Sequence, residues 1–243
     1  MLRLKIADVV FDAEVNFKRT LAVCENFVYD GDEKSEFTAK ITKEDIDYER
    51  DSLQDDTTFS NAYLEGLALF RKLCSHLLDK GDGMIFHCSA LAVDNKAYLF
   101  TAPSGTGKST HARLWREYLG DKVVMINDDK PIIRFIGDKA YVYGTPWQGK
   151  HNLGVNGRAE IEAVIEVKRA KENSVIEIPK EKMIVTVLNQ TLRPKEADRM
   201  MNVLALTDKL LRGVKTYRLY CNTDIDAARV CYNAVKKGDK NEN

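Results

Sequence analysis

Apolar and polar residues alternate from the first positions of the chain. Leu2, Leu4 and Ile6 are separated by Arg3 and Lys5, the period-two signature of a half-buried strand. Leu21–Tyr29 (LAVCENFVY), ended by Asp30-Gly31-Asp32, and Ser35–Ile41 predict two further short strands. Lys43–Thr58 is polar and rich in Asp and Glu, and predicts a short helix running into a loop. The boundary of a β-rich N-terminal lobe, residues 1–58, is placed there, and residues 59–243 form the core. Ser60 then offers an N-cap to a helix of about five turns. Tyr63, Leu67, Phe70, Cys74 and Leu77 give that helix one apolar stripe, and Lys80-Gly81-Asp82-Gly83 stops it.

Two apolar runs follow, Met84–Val93 (MIFHCSALAV) and Ala97–Thr101 (AYLFT), joined by Asp94-Asn95-Lys96. A connection this short joins antiparallel neighbours, because a parallel crossover needs about a dozen residues or more. The strand leading into the glycine-rich segment after Thr101 therefore comes from a hairpin. Lys108–Leu119 predicts a helix closed by Gly120, and Lys122–Ile126 a strand ending at Asn127-Asp128-Asp129. Pro131–Ile136 and Lys139–Tyr143 predict a hairpin across Gly137-Asp138. Gly144–Gly157 is a long loop with four glycines. Strands are expected at Ile161–Lys168, Val175–Ile178 and Thr216–Tyr220, and helices near Lys180–Gln190, Pro194–Leu211 and Asp224–Lys236, with a frayed tail at Lys237–Asn243. No internal repeat is visible.

Composition narrows the class. The 243 residues are 44% apolar and 30% charged, which suits a soluble globular protein and excludes disordered, collagenous or coiled-coil chains. No apolar run approaches the ~20 residues of a membrane span. The opening MLRLKIADVVFDAEV lacks the continuous apolar segment of a signal peptide, so a cytoplasmic protein without membrane contact is expected. Lys+Arg 37 balance Asp+Glu 37, which argues against a nucleic-acid track. The balance is uneven: residues 1–58 carry 15 acidic and 8 basic groups, a net of −7, and the remainder a net of +7. An anionic ligand is expected in the latter. Five cysteines without a CxxC pair suit neither a disulfide framework nor a zinc site.

The chemistry is concentrated between residues 87 and 129. Ala102–Ser109 (APSGTGKS) fits the Walker A pattern except that Ala102 stands at its first glycine. Ser104, Gly105, Thr106 and Gly107 would cradle phosphate oxygens with backbone N–H groups, beside the positive end of the helix that starts at Lys108. Lys108 would reach the outer phosphates, and Ser109, followed by Thr110, would hold Mg²⁺. Asp128-Asp129 closes the next strand, where carboxylates can ligate Mg²⁺ or take a proton from an attacking hydroxyl. Asn-Asp-Asp is equally ordinary turn chemistry. His87, in an apolar strand, reads from its surroundings as a satisfied core histidine.

A histidine on a strand, a hairpin, a GxSGxGKS loop, a helix and then an acidic pair resemble the HPr kinase/phosphorylase family and the related phosphoenolpyruvate carboxykinases. The resemblance covers about Gly83–Arg134 closely and the rest in outline. It implies that His87 lies near the transferred phosphate, and that one aspartate of Asp128-Asp129 is the catalytic base and the other a metal ligand. Which is which stays open, with Asp129 favoured as the more essential. ATP and Mg²⁺ are the implied nucleotide and cofactor, and self-association is implied. Three departures stand out. Ala102 is tolerable only if its φ is not positive. The family's E-x-R-G-x-G type loop has no counterpart, and Gly144–Lys150 (GTPWQGK) stands in its place. The chain also lacks the bulk of a carboxykinase, so it is most similar to the compact bacterial HPr-kinase-like proteins.

Supporting residues divide evenly or towards packing. Trp147 and Lys150 either face an acceptor or belong to a surface loop pinned by the indole. Arg193, expected to begin a helix at Pro194, could reach a phosphate or be solvated. His111, Arg113 and Arg116 lie on the helix that starts at Lys108, where one of them could face the nucleotide, and a solvated face is the favoured expectation. His151, Trp115 and Tyr217–Tyr220 are expected in packing or at the surface. The sequence as a whole predicts an α/β fold with an HPr kinase/carboxykinase-like P-loop core, a mixed sheet and a small β-rich lobe. The expected function is ATP-dependent transfer of the γ-phosphate to a hydroxyl, serine above all, of a small protein, peptide or amino acid. A non-catalytic nucleotide-binding sensor and a simple nucleoside triphosphatase are the alternatives.

Overall fold

The computed structural model describes residues 1–53 and 58–238. The chain begins with strands β1 (Leu2–Ile6) and β2 (Val9–Glu14), helix α1 (Lys18–Val23), β3 (Thr38–Lys40), α2 (Lys43–Ser52) and α3 (Asn61–Lys80). Then come β4 (Gly83–Ile85), β5 (Ser89–Val93), β6 (Lys96–Thr101), α4 (Lys108–Leu119), β7 (Val123–Asn127), β8 (Ile132–Ile136) and β9 (Lys139–Tyr143). The last elements are β10 (Arg158–Arg169), β11 (Ser174–Glu177), α5 (Lys180–Asn189), α6 (Ala197–Gly213), β12 (Lys215–Cys221) and α7 (Ile225–Gly238). The fold is mixed α/β.

The central sheet, of nine strands among the described residues, runs β4-β8-β9-β10-β6-β5-β7 and branches at β10, where β12 pairs alongside and carries β11. β10 is parallel to β6 and β12 and antiparallel to β9, so the sheet is mixed as expected. β5 and β6 form the predicted antiparallel hairpin, with Asp94 and Asn95 both at positive φ, 53° and 62°. Asp and Asn tolerate that left-handed pair better than other non-glycine residues, and it matches the twist of the flanking strands.

Both faces of this sheet are covered, which is why its strands read as unbroken apolar runs. Ala90, Ala92, Ala97 and Leu99 point to one face with Met183, Val187, Val203 and Leu206 of α5 and α6. Leu91, Val93, Tyr98 and Phe100 point to the other, with Leu114 and Trp115 of α4 and Ala228 and Cys231 of α7. Ser60 caps α3 by accepting from the Tyr63 N–H, and Gly81 ends the helix in the left-handed conformation at φ 65°. The five cysteines are reduced and buried. No helix among the described residues is long and apolar enough to cross a membrane.

Several expectations are corrected. Leu21–Tyr29 is not a strand: α1 and a short 3₁₀ turn, Glu25–Phe27, occupy it. The buried positions there are Thr20, Cys24 and Phe27, a helical spacing, while Leu21, Val23 and Val28 are exposed. β2, missed in the sequence, pairs with β1 across Ala7 and Asp8, both at positive φ. The expected strand Ser35–Ile41 shrinks to β3. Met84–Val93 is two strands, because β4 pairs with β8 whereas β5 pairs with β6 and β7. Phe86–Cys88 carries the chain between these two parts of the sheet. The helix expected from Pro194 starts at Ala197. Part of the loop expected before Thr58 and residues 239–243 of the expected frayed tail lie outside the described residues, and 237–238 belong to α7.

The β1-β2-β3 sheet packs Leu4, Ile6 and Phe11 against Leu64, Leu69 and Leu73 of α3, in one cluster that also takes in Ile132, Tyr143 and Trp147. The N-terminal strands thus share a core with elements beyond Thr58.

Candidate functional site

β6 ends at Thr101, and the chain turns through the glycine-rich loop into α4. Gly105 and Gly107 have φ of 73° and 122°, conformations that L side chains rarely adopt, so glycine is required at both. Ala102 is buried and is not among the positive-φ residues, so the missing first glycine costs nothing here. Ser104, Gly105 and Ser109 are exposed, whereas Lys108 is only 8% exposed, and its Nζ donates to the Ala102 carbonyl at 2.8 Å. Burial lowers the Lys108 pKa, against the opposing influence of Cys88, Asp129 and Asp128 nearby.

A cavity of about 390 Å³ lies over this loop. It brings together Ser104, Gly105, Gly107, Lys108, Ser109 and Thr110 with His87, Asp128 and Asp129, and with Gly149, Lys150 and His151 of the loop 144–157. Among the predicted site residues, Thr106 alone lies outside its lining. His87 is not mid-strand: the break between β4 and β5 frees its side chain, while its N–H donates to the Gln190 carbonyl at 2.7 Å. The His87 Nε2 lies 3.1 Å from Asp129 Oδ1. The Lys130 Nζ donates to Asp129 Oδ2 at 2.5 Å. Burial would raise Asp129, but the His87 hydrogen bond and the Lys130 ammonium outweigh it and hold the carboxyl at about 2. Asp128 instead accepts from the Ser89 hydroxyl at 2.5 Å.

The acidic pair is set in place by a residue that the sequence presents only as part of a turn. Asn127 is fully buried at the end of β7, and its Oδ1 accepts from the N–H groups of Asp129 and Lys130 at 2.8 and 2.9 Å. Its Nδ2 reaches across to Thr145, 3.0 Å from Oγ1 and 3.2 Å from the carbonyl. Thr145 in turn donates to the Lys130 carbonyl at 2.8 Å. This network locks the loop 144–157 to the acidic turn. Gly149 then passes so close to Asp128 that a Cβ would lie 3.0 Å from its carbonyl oxygen and 3.1 Å from Oδ2. The side chain that accepts from the N–H two residues on is the signal that could have found Asn127.

Other residues sort differently from expectation. Trp147 pins the loop, donating to the Gly66 carbonyl at 2.8 Å and packing on Phe70, whereas Lys150 lines the cavity. His151, expected in packing or at the surface, lines it too. His111 is buried at 1% exposure, not on a solvated face, while Arg113 is exposed and paired with Glu117. Arg193 is exposed and outside the cavity lining. Arg169, which no pattern singled out, donates from Nε to the Thr106 carbonyl at 3.0 Å and from Nη2 to the Gly105 carbonyl. It neutralises oxygens that would otherwise repel an anion on the loop.

Glycine backbone at the mouth of a helix, an adjacent ammonium and two carboxylates suit an anion together with a divalent cation. No group of three or more His, Cys, Asp or Glu side chains among the described residues could hold a metal by itself. A hydroxyl and one or two carboxylates with the rest of the shell left to phosphate and water is the donor set Mg²⁺ accepts, and Ser109, Asp128 and Asp129 are the side chains of those types on the cavity wall besides Ser104 and Thr110.

No family model and no curated protein matches the chain. Among solved structures, the Hpr(Ser) kinase/phosphatase from Coxiella burnetii aligns with 64% of this chain and 98% of its own, at 10% identity and a TM-score of 0.36. At that score the likeness is distant and carries no weight for function.

Proposed function

We propose that the protein is an ATP-dependent kinase of the HPr-kinase-like class, transferring the γ-phosphate to a hydroxyl, serine above all, of a small protein, peptide or amino acid. The observation behind this reading is the convergence of the glycine-rich loop, Lys108, His87, Asp128 and Asp129 on one cavity. Backbone N–H groups of Gly105, Thr106 and Gly107 and the Lys108 ammonium hold the phosphates. Ser109 and Asp129 hold Mg²⁺, which neutralises phosphate charge when bound. Asp129, at about 2, has little appetite for a proton and suits the metal and the orientation of His87. Asp128 is then the base.

In the reaction the acceptor oxygen forms a bond to the γ-phosphorus as the bond to the bridging oxygen breaks. ADP leaves, and the acceptor proton passes to Asp128. Lys150 and His151 line the same cavity, where the Lys150 ammonium would steady the charge on the transferring group.

The test is phosphate release from ATP and phosphate incorporation into serine-containing peptides, for the native protein and for Asp128→Asn. A kinase incorporates phosphate, and the substitution lowers the rate at least a hundredfold, at the lower end of general-base contributions of about 10²–10⁴. Nucleotide binding without any turnover would leave a sensor. Phosphate release independent of any acceptor would leave a triphosphatase.

A further inference from the structure

A separate cavity of about 420 Å³ lies between α1, α3 and the loop 144–157. Its volume falls within the ~300–1,000 Å³ of ligand pockets. Much of its wall is apolar, from Val23, Phe27, Leu67, Pro146 and Trp147. That wall is held in place before anything binds. The Trp147 indole is fixed to the Gly66 carbonyl, and the Gln148 amide bonds both ways with the Gly154 backbone.

Arg19 is the one charged side chain in the lining. Its guanidinium lies 5.9 Å from the centroid of the Tyr63 ring, and no carboxylate among the described residues pairs with it. A rigid apolar wall beside one uncompensated cation is complementary to an apolar side chain that has a carboxylate next to it.

The loop also sets this cavity beside the catalytic one. Gln148 and Asn152 line it, while Gly149, Lys150 and His151, which lie between them in the chain, line the other. Neighbouring Cα atoms are ~3.8 Å apart, so an extended polypeptide can occupy both cavities with a few residues between.

We propose that this cavity docks the acceptor polypeptide, taking a side chain of leucine or phenylalanine size against Trp147 while an adjacent Asp or Glu pairs with Arg19. The inference rests on the kinase reading above and narrows its acceptor to a polypeptide with an acidic and apolar motif near the serine.

The probes are short serine peptides carrying a Leu-Glu pair at successive positions on either side of the serine, with Ala-Lys peptides as controls. In ¹H–¹⁵N NMR without nucleotide, Leu-Glu peptides should shift the Trp147 indole signal and leave that of the fully buried Trp115 unmoved. In the kinase assay one register should exceed its Ala-Lys control about tenfold in kcat/KM. Arg19→Glu puts an acid in the first turn of α1, where the helix dipole favours it, so the variant should fold. It should keep acceptor-free ATP binding within about twofold and move the preference about tenfold towards Leu-Lys peptides, one attraction lost and one repulsion gained. Phosphorylation without register preference, a preference that Arg19→Glu leaves unchanged, or an unmoved Trp147 signal overturns the docking site and leaves the kinase reading standing. Trp147 shifts with no peptide phosphorylated overturn the kinase reading and the acceptor role together, and leave a peptide-binding cavity.

Discussion

At Asp129 burial and pairing pull in opposite directions, and the pairing with His87 and Lys130 prevails. The carboxyl sits at about 2 in the folded protein against an ordinary 3.8, so the unfolded chain takes up its proton first as the pH falls. The stability this group contributes is therefore fully present above about pH 4 and is lost as the pH drops through about 2. Thermal melts of the native protein and of Asp129→Asn should differ by roughly 2 kcal/mol near pH 6, with the gap closing towards pH 2. A gap that ignores pH would mean that Asp129 is not held by these partners. Asn127 acts on the same turn without touching a ligand. Asn127→Ala strands the N–H groups of Asp129 and Lys130 and unties Thr145, at about 2–4 kcal/mol in a buried network. Urea unfolding measures that loss, and a change below 0.5 kcal/mol, the range of ordinary surface substitutions, would contradict the positioning role.

Among the elements, α1 depends on a residue from a distant helix. Glu65 of α3 is fully buried and accepts from Asn16 N at 2.6 Å, Phe17 N at 3.0 Å and Thr20 Oγ1 at 2.6 Å. A six-residue helix has little stability of its own, so this carboxylate fixes its start. Glu65→Ala should speed hydrogen exchange across residues 18–27 at least tenfold and leave β5 and β6 protected. Unchanged exchange in α1 would refute that dependence. This is also where the sequence misled: Leu21, Val23 and Val28 look like strand residues, but they are exposed, and the buried Thr20, Cys24 and Phe27 follow helical spacing. The hairpin before the glycine-rich loop was legible because Asp94-Asn95 is specific turn chemistry. The division between β4 and β5 was not. Both pieces are apolar, and only the pairing partners distinguish them.

Over the whole molecule, the site is assembled from segments far apart in sequence. The glycine-rich loop, Lys108 and the acidic pair were readable, because local motifs carry their own geometry. His87 was placed by resemblance, since nothing local shows that the strand breaks around it. Lys150 and His151 reach the cavity only because Trp147 ties the loop to α3 and Asn127 ties it to β7. The N-terminal sheet is bound to the rest in the same manner. Arg134 donates to the Ala7 carbonyl at 2.6 Å, the Tyr143 hydroxyl donates to Asp8 at 2.7 Å, and one apolar cluster spans both sides. Calorimetric unfolding should accordingly show one cooperative transition, and two separated transitions would contradict the shared core.

Binding of ATP with Mg²⁺, followed by calorimetry on the native protein and on Lys108→Ala, tests the central claim most directly. Lys108 contributes the buried ammonium of the cavity, and its substitution leaves the loop's glycines and the sheet untouched. The native protein should bind ATP, and Lys108→Ala should weaken binding at least a hundredfold, about 2.7 kcal/mol. A native protein that does not bind ATP, or a variant that binds it equally well, would contradict the phosphate site and the kinase reading built on it.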